Sequence, residues 1–142
     1  MKATITSTAH YVPEKVLTNS ELEKFVETSD EWIQSRVGIK QRHVVSKGEA
    51  SSDMSTEVAK SLLQKRGISP NEIDVIIIGT VTPDHPTPST AAIVQNNIKA
   101  ENAWAFDLSA ACSGFLFSLE TGARFIELSL IHISEPTRRR GI

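Results

Sequence analysis

The residue best suited to covalent chemistry is Cys112, the single cysteine of a chain of 142 residues. It lies in the stretch FDLSAACSGF, where an apolar run passes into small residues. Small residues allow close backbone approach, so the stretch predicts a tight strand-to-helix turn. A thiol at a helix N-terminus faces backbone N–H groups and the positive end of the helix dipole. Both stabilise a thiolate and can hold an oxyanion, which makes a nucleophile one interpretation of Cys112.

Other interpretations of the cysteine stay open from the residues alone. Free cysteine is among the most buried residue types, and an inert core thiol is the commoner outcome. A metal site is disfavoured, because the single cysteine and the four histidines show none of the usual ligand spacings. The histidines are scattered along the chain at His10, His43, His85 and His132. A single cysteine also excludes an intrachain disulfide, which fits a reducing compartment.

Composition narrows the class of protein. Hydrophobic residues make up 39% and charged residues 23% of the chain, which is typical of a folded globular domain. A formal net charge of −2 gives no general attraction to nucleic acid or to an anionic membrane. The N-terminal residues contain no long apolar core of a secretory signal, and the run VIIIG is too short to cross a bilayer. We therefore expect a cytoplasmic protein with no nucleic-acid or membrane partner.

The elements that must position the cysteine alternate between strands and helices. Strands are predicted in KATITSTAHYVP, in the segment after Gly38, in IDVIIIGTVT and in AWAFDLS. Helices are predicted in TNSELEKFV, DEWIQSRV, SSDMSTEVAKSLLQKR, PSTAAIVQNNIK and ACSGFLFSLETGARFIE. The caps expected for three of these helices are Asn19 or Ser20, Ser29 or Asp30, and Ser89 or Thr90, with Gly38 and Gly67 as stops. The continuous β-branched run Val75–Ile78 is typical of a strand buried on both faces. The order predicts an α/β sheet with parallel neighbours.

Three blocks of sequence together are specific: TSDEWIQSRVGIKQRH, IDVIIIGTVTPDHPTPSTAAIVQ and AFDLSAACSGF. They resemble β-ketoacyl-acyl-carrier-protein synthase III, an initiating condensing enzyme of bacterial fatty-acid synthesis, over Met1 to about Glu127. The resemblance implies the N-terminal half of a thiolase-like α/β fold, with a mixed, largely parallel sheet and helices on its faces, in incomplete form. Another thiolase-fold condensing enzyme, such as a hydroxymethylglutaryl-CoA synthase or a secondary-metabolism synthase, is the alternative. A non-catalytic α/β interaction module is a further alternative.

The resemblance also implies a chemistry. Cys112 matches the nucleophile that takes an acyl group from acyl-CoA as a thioester. Malonyl-acyl-carrier protein then loses CO2, and its carbanion attacks the thioester to give a 3-oxoacyl product. Acyl-CoA is a substrate, no separate cofactor or metal is implied, and the full-length family forms homodimers.

Four further residues match functional positions of the family. Trp32 and Arg36 match positions that hold the coenzyme A nucleotide, where an aromatic face suits adenine and a guanidinium suits phosphate. Thr28 matches a polar contact in the same region, and a spacing of four would put all three residues on one side of a helix. Thr87 matches a residue that reaches the partner's acyl pocket in the dimer. Each also has a structural interpretation: a core anchor for Trp32, a solvated side chain for Arg36, and a loop residue for Thr87.

The chain departs from the family at both ends. Ser7 and Ala9 stand where glycine is more common. The family's catalytic His and Asn belong to a second half, so we expect this chain alone to lack full activity. The segment LSLIHISEPTRRRGI, residues 128–142, does not follow the family. Because LSLIHISEPTR matches an in-frame translation of a transposon-end sequencing adapter, we expect residues 1–127 to be the condensing-enzyme part and residues 128–142 to be adapter read-through.

Overall fold

The computed structural model describes residues 2–130, and the chain divides into two compact units. The first is the insert unit, residues 11–50. The second is the sheet unit, which joins residues 2–10 to the chain from Ser51 onward. Most of the expected non-family tail, with His132, lies outside the described residues.

The insert unit contains two short strands and two helices. They are β1 (Val16–Thr18), α1 (Asn19–Leu22), α2 (Asp30–Val37) and β2 (Gln41–His43). Strands β1 and β2 pair antiparallel, with Leu17 opposite Arg42. Ser29 caps α2 by accepting a hydrogen bond from the backbone N–H of Trp32, and Gly38 ends the helix with a φ of 71°. Both of these boundaries confirm the prediction.

The cap of α1 differs from the prediction. The helix begins one residue earlier than expected, and its cap is Thr18 rather than Asn19 or Ser20. Thr18 and Glu21 form a capping box, in which each side chain accepts a hydrogen bond from the other residue's backbone N–H. Asn19 is instead buried, with only 1% of its surface exposed.

The sheet unit begins with a long helix and alternates strand with helix. Its elements are α3 (Ser51–Arg66), a 3-10 turn (Pro70–Glu72), β3 (Val75–Gly79), α4 (Thr90–Ile98), β4 (Trp104–Leu108), a second 3-10 turn (Ala111–Ser113) and α5 (Gly114–Glu127). Strands β3 and β4 are parallel, in register from Val75 opposite Trp104 to Gly79 opposite Leu108. The carboxyl ends of both strands therefore meet at one edge, as α/β alternation predicts.

Two expectations about the sheet are wrong. Residues 2–13, predicted as a first strand, form none, because β-propensity alone cannot make a strand without a hydrogen-bonded neighbour. Strand β3 was predicted to be buried on both faces, but Val75 to Ile78 are only half-buried. An apolar cavity of about 570 Å³ lies against β3, between α3, α5 and residues 5–9, and leaves part of the strand uncovered.

The core of the sheet unit lies between helix α4 and the strands. Ile98, Ala100 and Ala103 form a buried cluster, and Leu63 and Ile76 pack against it. The aromatic rings of Trp104, Phe106 and Phe125 lie within 6.2 Å of one another by centroid, which packs α5 against β4. This packing holds the C-terminal part of α5 against β4.

Candidate active site

Cys112 lies in the 3-10 turn Ala111–Ser113, between the end of β4 and the start of α5. Its side chain is exposed, so the interpretation as a buried core thiol is wrong. The predicted helix through the cysteine is also too long, since α5 begins only at Gly114. The turn is closed by backbone hydrogen bonds from Ser113 to Ala110 and from Gly114 to Ala111. A nucleophile in this position can be reached by a substrate.

The turn contains a strained residue next to the cysteine. Ala111 has a φ of 46°, in the left-handed region that residues with a Cβ atom rarely occupy. Such a conformation costs about 1–2 kcal/mol and persists only where the surroundings impose it. Here the strand end and the helix start impose it from either side. The strain lies on the residue before the nucleophile rather than on Cys112 itself.

The start of α5 is electrostatically open. Ser113 makes no side-chain hydrogen bond to cap it, and the first turn contains no acidic residue. The first backbone N–H groups of a helix have no partner within the helix. Those of α5 receive no side-chain cap, although that of Gly114 donates to Ala111 in the preceding turn. The positive end of the helix dipole therefore lies beside the cysteine, where it can stabilise a thiolate or an oxyanion.

The neighbouring helix α4 is capped by a residue that sequence reasoning missed. The carboxylate of Asp107, in strand β4, accepts hydrogen bonds from the backbone N–H groups of Thr90 and Ala91, each at 2.8 Å. Ser89 adds the predicted side-chain cap by accepting from Ala92. The available signal was an acidic residue inside an otherwise apolar strand, which needs a charged or hydrogen-bonding partner.

The proline-rich loop that contains Thr87 is anchored at the same edge of the sheet. The hydroxyl of the fully buried Thr90 accepts a hydrogen bond from the backbone N–H of Asp84. The carboxylate of Asp84 in turn accepts from the backbone N–H of Ser52, at the start of α3. Thr87 itself is exposed in this loop, and so is His85.

In the insert unit, Trp32 and Arg36 lie one turn apart on α2. The guanidinium carbon of Arg36 is 5.9 Å from the centroid of the Trp32 ring, within the range of a cation–π contact. Trp32 is 57% exposed, so it is not a core anchor. An exposed indole next to a guanidinium presents a flat surface and a positive charge together.

Thr28 does not share the helix with Trp32 and Arg36, because the helix does not begin early enough to include it. It precedes the cap residue Ser29, because α2 begins only at Asp30. It nevertheless lines a shallow depression of about 240 Å³ with Glu27, Ser29 and Trp32. Its hydroxyl oxygen is buried without a hydrogen-bond partner in the described part of the chain. The three predicted residues are thus close together, although one lies outside the helix.

Residues 2–130 contain neither a candidate metal site nor a helix suited to crossing a membrane. The His, Cys, Asp and Glu side chains of this range form no group of three that could hold a metal ion. None of its helices combines the length and apolar character that crossing a membrane requires.

Comparison with known proteins defines the class. The family described as FAE1/Type III polyketide synthase-like protein matches residues 2–132. A solved 3-oxoacyl-[acyl-carrier-protein] synthase III from Aquifex aeolicus superposes with a TM-score of 0.82 at 48% identity, over 86% of this chain and 39% of that one. The priming β-ketosynthase of the R1128 polyketide pathway gives a TM-score of 0.78 at 32% identity, over 82% of this chain and 35% of that one. The fold is that of the N-terminal part of a thiolase-like condensing enzyme.

A curated relative narrows the class further. The β-ketoacyl-[acyl-carrier-protein] synthase III of Chlorobaculum tepidum is 58% identical over 128 residues, which is 89% of this chain. The chain belongs to the β-ketoacyl-[acyl-carrier-protein] synthase III family of condensing acyltransferases. It spans 39% of the length of the Chlorobaculum relative. The family and fold expected from the three sequence blocks are confirmed.

Proposed function

We propose that Cys112 accepts an acyl group from acyl-CoA. The observation that carries this proposal is the exposed thiol in the turn before α5, whose start has neither a side-chain cap nor an acidic residue. The sulfur of Cys112 attacks the thioester carbonyl, and the resulting oxyanion collapses to release coenzyme A. The C–S bond to Cys112 forms in the attack, and the C–S bond to coenzyme A breaks when the oxyanion collapses. The proton lost by the Cys112 thiol ends on the released coenzyme A thiol, so the step needs no other reactant.

The nucleotide end of coenzyme A is proposed to bind the insert unit. The exposed face of Trp32 suits stacking with adenine, and the guanidinium of Arg36 suits a phosphate. Thr28 lines the adjoining depression and is proposed as a further contact of the ligand.

The whole reaction of the family is proposed for the longer protein that its relatives represent. Malonyl-acyl-carrier protein loses CO2, and its carbanion attacks the Cys112 thioester to release 3-oxoacyl-acyl-carrier protein and the free thiol. The resemblance assigns the decarboxylation to a His and an Asn beyond the part matched here. It also implies a cytoplasmic homodimer in which Thr87 faces the partner's acyl pocket.

Intact-mass spectrometry tests the first step. Incubation with acetyl-CoA should add one acetyl group to the chain, and hydroxylamine should remove it because it is a thioester. Cys112→Ser is the matched control and should gain no hydroxylamine-sensitive acetyl group. A folded chain that gains none over hours, at acetyl-CoA concentrations that label full-length relatives, would contradict the proposal.

A second candidate is the priming step of polyketide synthesis. The match to the R1128 priming β-ketosynthase supports it, because the aligned parts share the fold and are 32% identical. Competition between acetyl-CoA and longer acyl-CoA primers separates the two candidates. Preferential acetylation favours fatty-acid initiation, whereas preference for a longer primer favours the polyketide role.

A further inference from the structure

Gly79, the last residue of β3, touches the first residue of α5. A Cβ atom built on Gly79 would lie 3.0 Å from the carbonyl carbon and oxygen of Gly114 and 3.2 Å from the hydroxyl oxygen of Ser118. Ordinary contacts between such atoms begin at about 3.5 Å. The backbone of the strand end therefore lies directly against the backbone of the helix start. A side chain at Gly79 would push these two segments apart.

The contact is asymmetric between the two glycines. A Cβ atom on Gly114 would meet the Cα of Gly79 at 3.5 Å, an ordinary van der Waals distance. One on Gly122, two turns further along α5, would meet only the end of the Ile77 side chain at 3.9 Å. Of these three glycines, only Gly79 is required by the packing.

We propose that Gly79 is a positioning residue for the nucleophile. Gly114 follows Cys112 by two residues, and the intervening 3-10 turn is closed by backbone hydrogen bonds. The other end of the turn continues from β4, which pairs with β3 at Gly79 and Leu108. A displacement of the helix start away from the strand ends by a few tenths of an ångström therefore deforms the turn and moves the cysteine relative to the N–H groups of α5. The short distance set by Gly79 holds the sulfur where those groups stabilise its negative charge. This inference rests on the proposed function only in taking Cys112 as the nucleophile.

The test compares three single substitutions in the full chain. Cys112 is alkylated with iodoacetamide across a pH series, and each rate is divided by the rate of the same variant in urea. Gly79→Ala should lower this ratio near neutral pH roughly threefold to tenfold, the size of effect expected when a charge loses its helix terminus. Gly114→Ala and Gly122→Ala should leave the ratio and its pH profile unchanged. Circular dichroism and urea unfolding check that each variant remains folded.

A second variant keeps the test informative if Gly79→Ala loses stability. Ser118→Ala removes one of the crowding atoms and also a buried hydroxyl that has no hydrogen-bond partner among residues 2–130. The double variant Gly79→Ala with Ser118→Ala should fold better and show a smaller loss of alkylation rate. An unchanged ratio in both Gly79 variants overturns the proposal, and so does an equal loss in Gly114→Ala. Failure of acetyl transfer by the unsubstituted chain contradicts the proposed function but leaves this alkylation comparison intact.

Discussion

Asp107 Oδ2 lies 2.8 Å from the backbone nitrogen of Thr90, and its other carboxylate oxygen accepts from Ala91. One side chain of β4 therefore binds two of the otherwise unpaired N–H groups at the start of α4. Because both carboxylate oxygens accept a hydrogen bond, a neutral side chain of the same shape cannot form both hydrogen bonds. The bond ties strand to helix at the edge of the sheet where the cysteine turn begins.

Asp107→Asn should destabilise the chain by about 1–3 kcal/mol, since its amide nitrogen would face a backbone donor. Urea unfolding followed by circular dichroism measures the loss. Asp74→Asn is the matched control, because Asp74 is exposed just before β3. Equal destabilisation by both substitutions would show that charge alone, rather than the two hydrogen bonds, accounts for the effect.

The insert unit should lose stability in acid through Asp30. Hydrogen bonds from Asn19 and Gln34 hold the pKa of the Asp30 carboxyl below its ordinary value of 3.8. Because the folded pKa is the lower one, the stabilisation is present above the ordinary value. It is lost as pH falls through the lowered value. Hydrogen bonds from Thr18 lower the pKa of Glu21 in the same direction.

Substitution of Asp30 measures its own contribution to the acid sensitivity of the insert unit. Asp30→Asn should make unfolding of the insert unit less dependent on pH below about 4, while lowering stability near neutral pH. Trp32 fluorescence in a Trp104→Phe background reports this unit alone. Glu31→Gln, in the same helical turn, should keep the acid dependence of the parent. An identical pH profile for Asp30→Asn and the parent would rule out the assignment.

Coenzyme A should quench Trp32 fluorescence if the indole stacks on adenine. In the Trp104→Phe background Trp32 is the single tryptophan, because the chain contains two. Arg36→Ala should weaken binding roughly tenfold through loss of a charged hydrogen-bond donor. Lys47→Ala removes the same charge from an exposed loop position of the insert unit and should have little effect. Equal weakening by both variants would indicate general charge attraction instead of a phosphate contact.

The thiol of Cys112 should react faster in the folded chain than in the unfolded one. Iodoacetamide labelling at neutral pH, with and without urea, measures the difference, because the thiolate is the reactive form. A folded-state rate several times the urea rate distinguishes an activated nucleophile from the inert cysteine of an interaction module. A slower folded-state rate for this exposed thiol would favour the module.

The DNA that encodes the tail tests the proposed boundary after residue 127. We expect the codons of Leu128 to Arg138 to spell the transposon-end adapter and to be missing from independent reads of the same genome. Genomic reads that carry different codons for the same residues would show that the tail belongs to the protein. The match of the family to residues 2–132 does not distinguish these outcomes.

Many features set by neighbouring residues could be predicted from the sequence, although the Thr18 cap of α1 was missed. Ser29, Gly38 and Ser89 act within one helical turn of their own position, and all three were assigned correctly. The parallel pairing of β3 and β4 followed from the alternation of apolar runs with helices.

Features set by distant residues could not be predicted. Asp107 and Gly79 act through contacts with residues 16 or more positions away, which no local pattern encodes. Residues 2–13 have a strand-like composition, but strand formation depends on a partner that the composition does not specify.

The positive φ of Ala111 has a consequence for variants of this protein. Exchange of Ala111 for valine would look conservative on any scale of hydrophobicity, yet a branched side chain is poorly tolerated in the left-handed region. Exchange of Ala111 for glycine removes a side chain and looks unfavourable, yet it would relieve the backbone strain at this position. At this position the severity of a natural variant follows from the backbone angle, and a ranking by side-chain similarity would place the two exchanges in the wrong order.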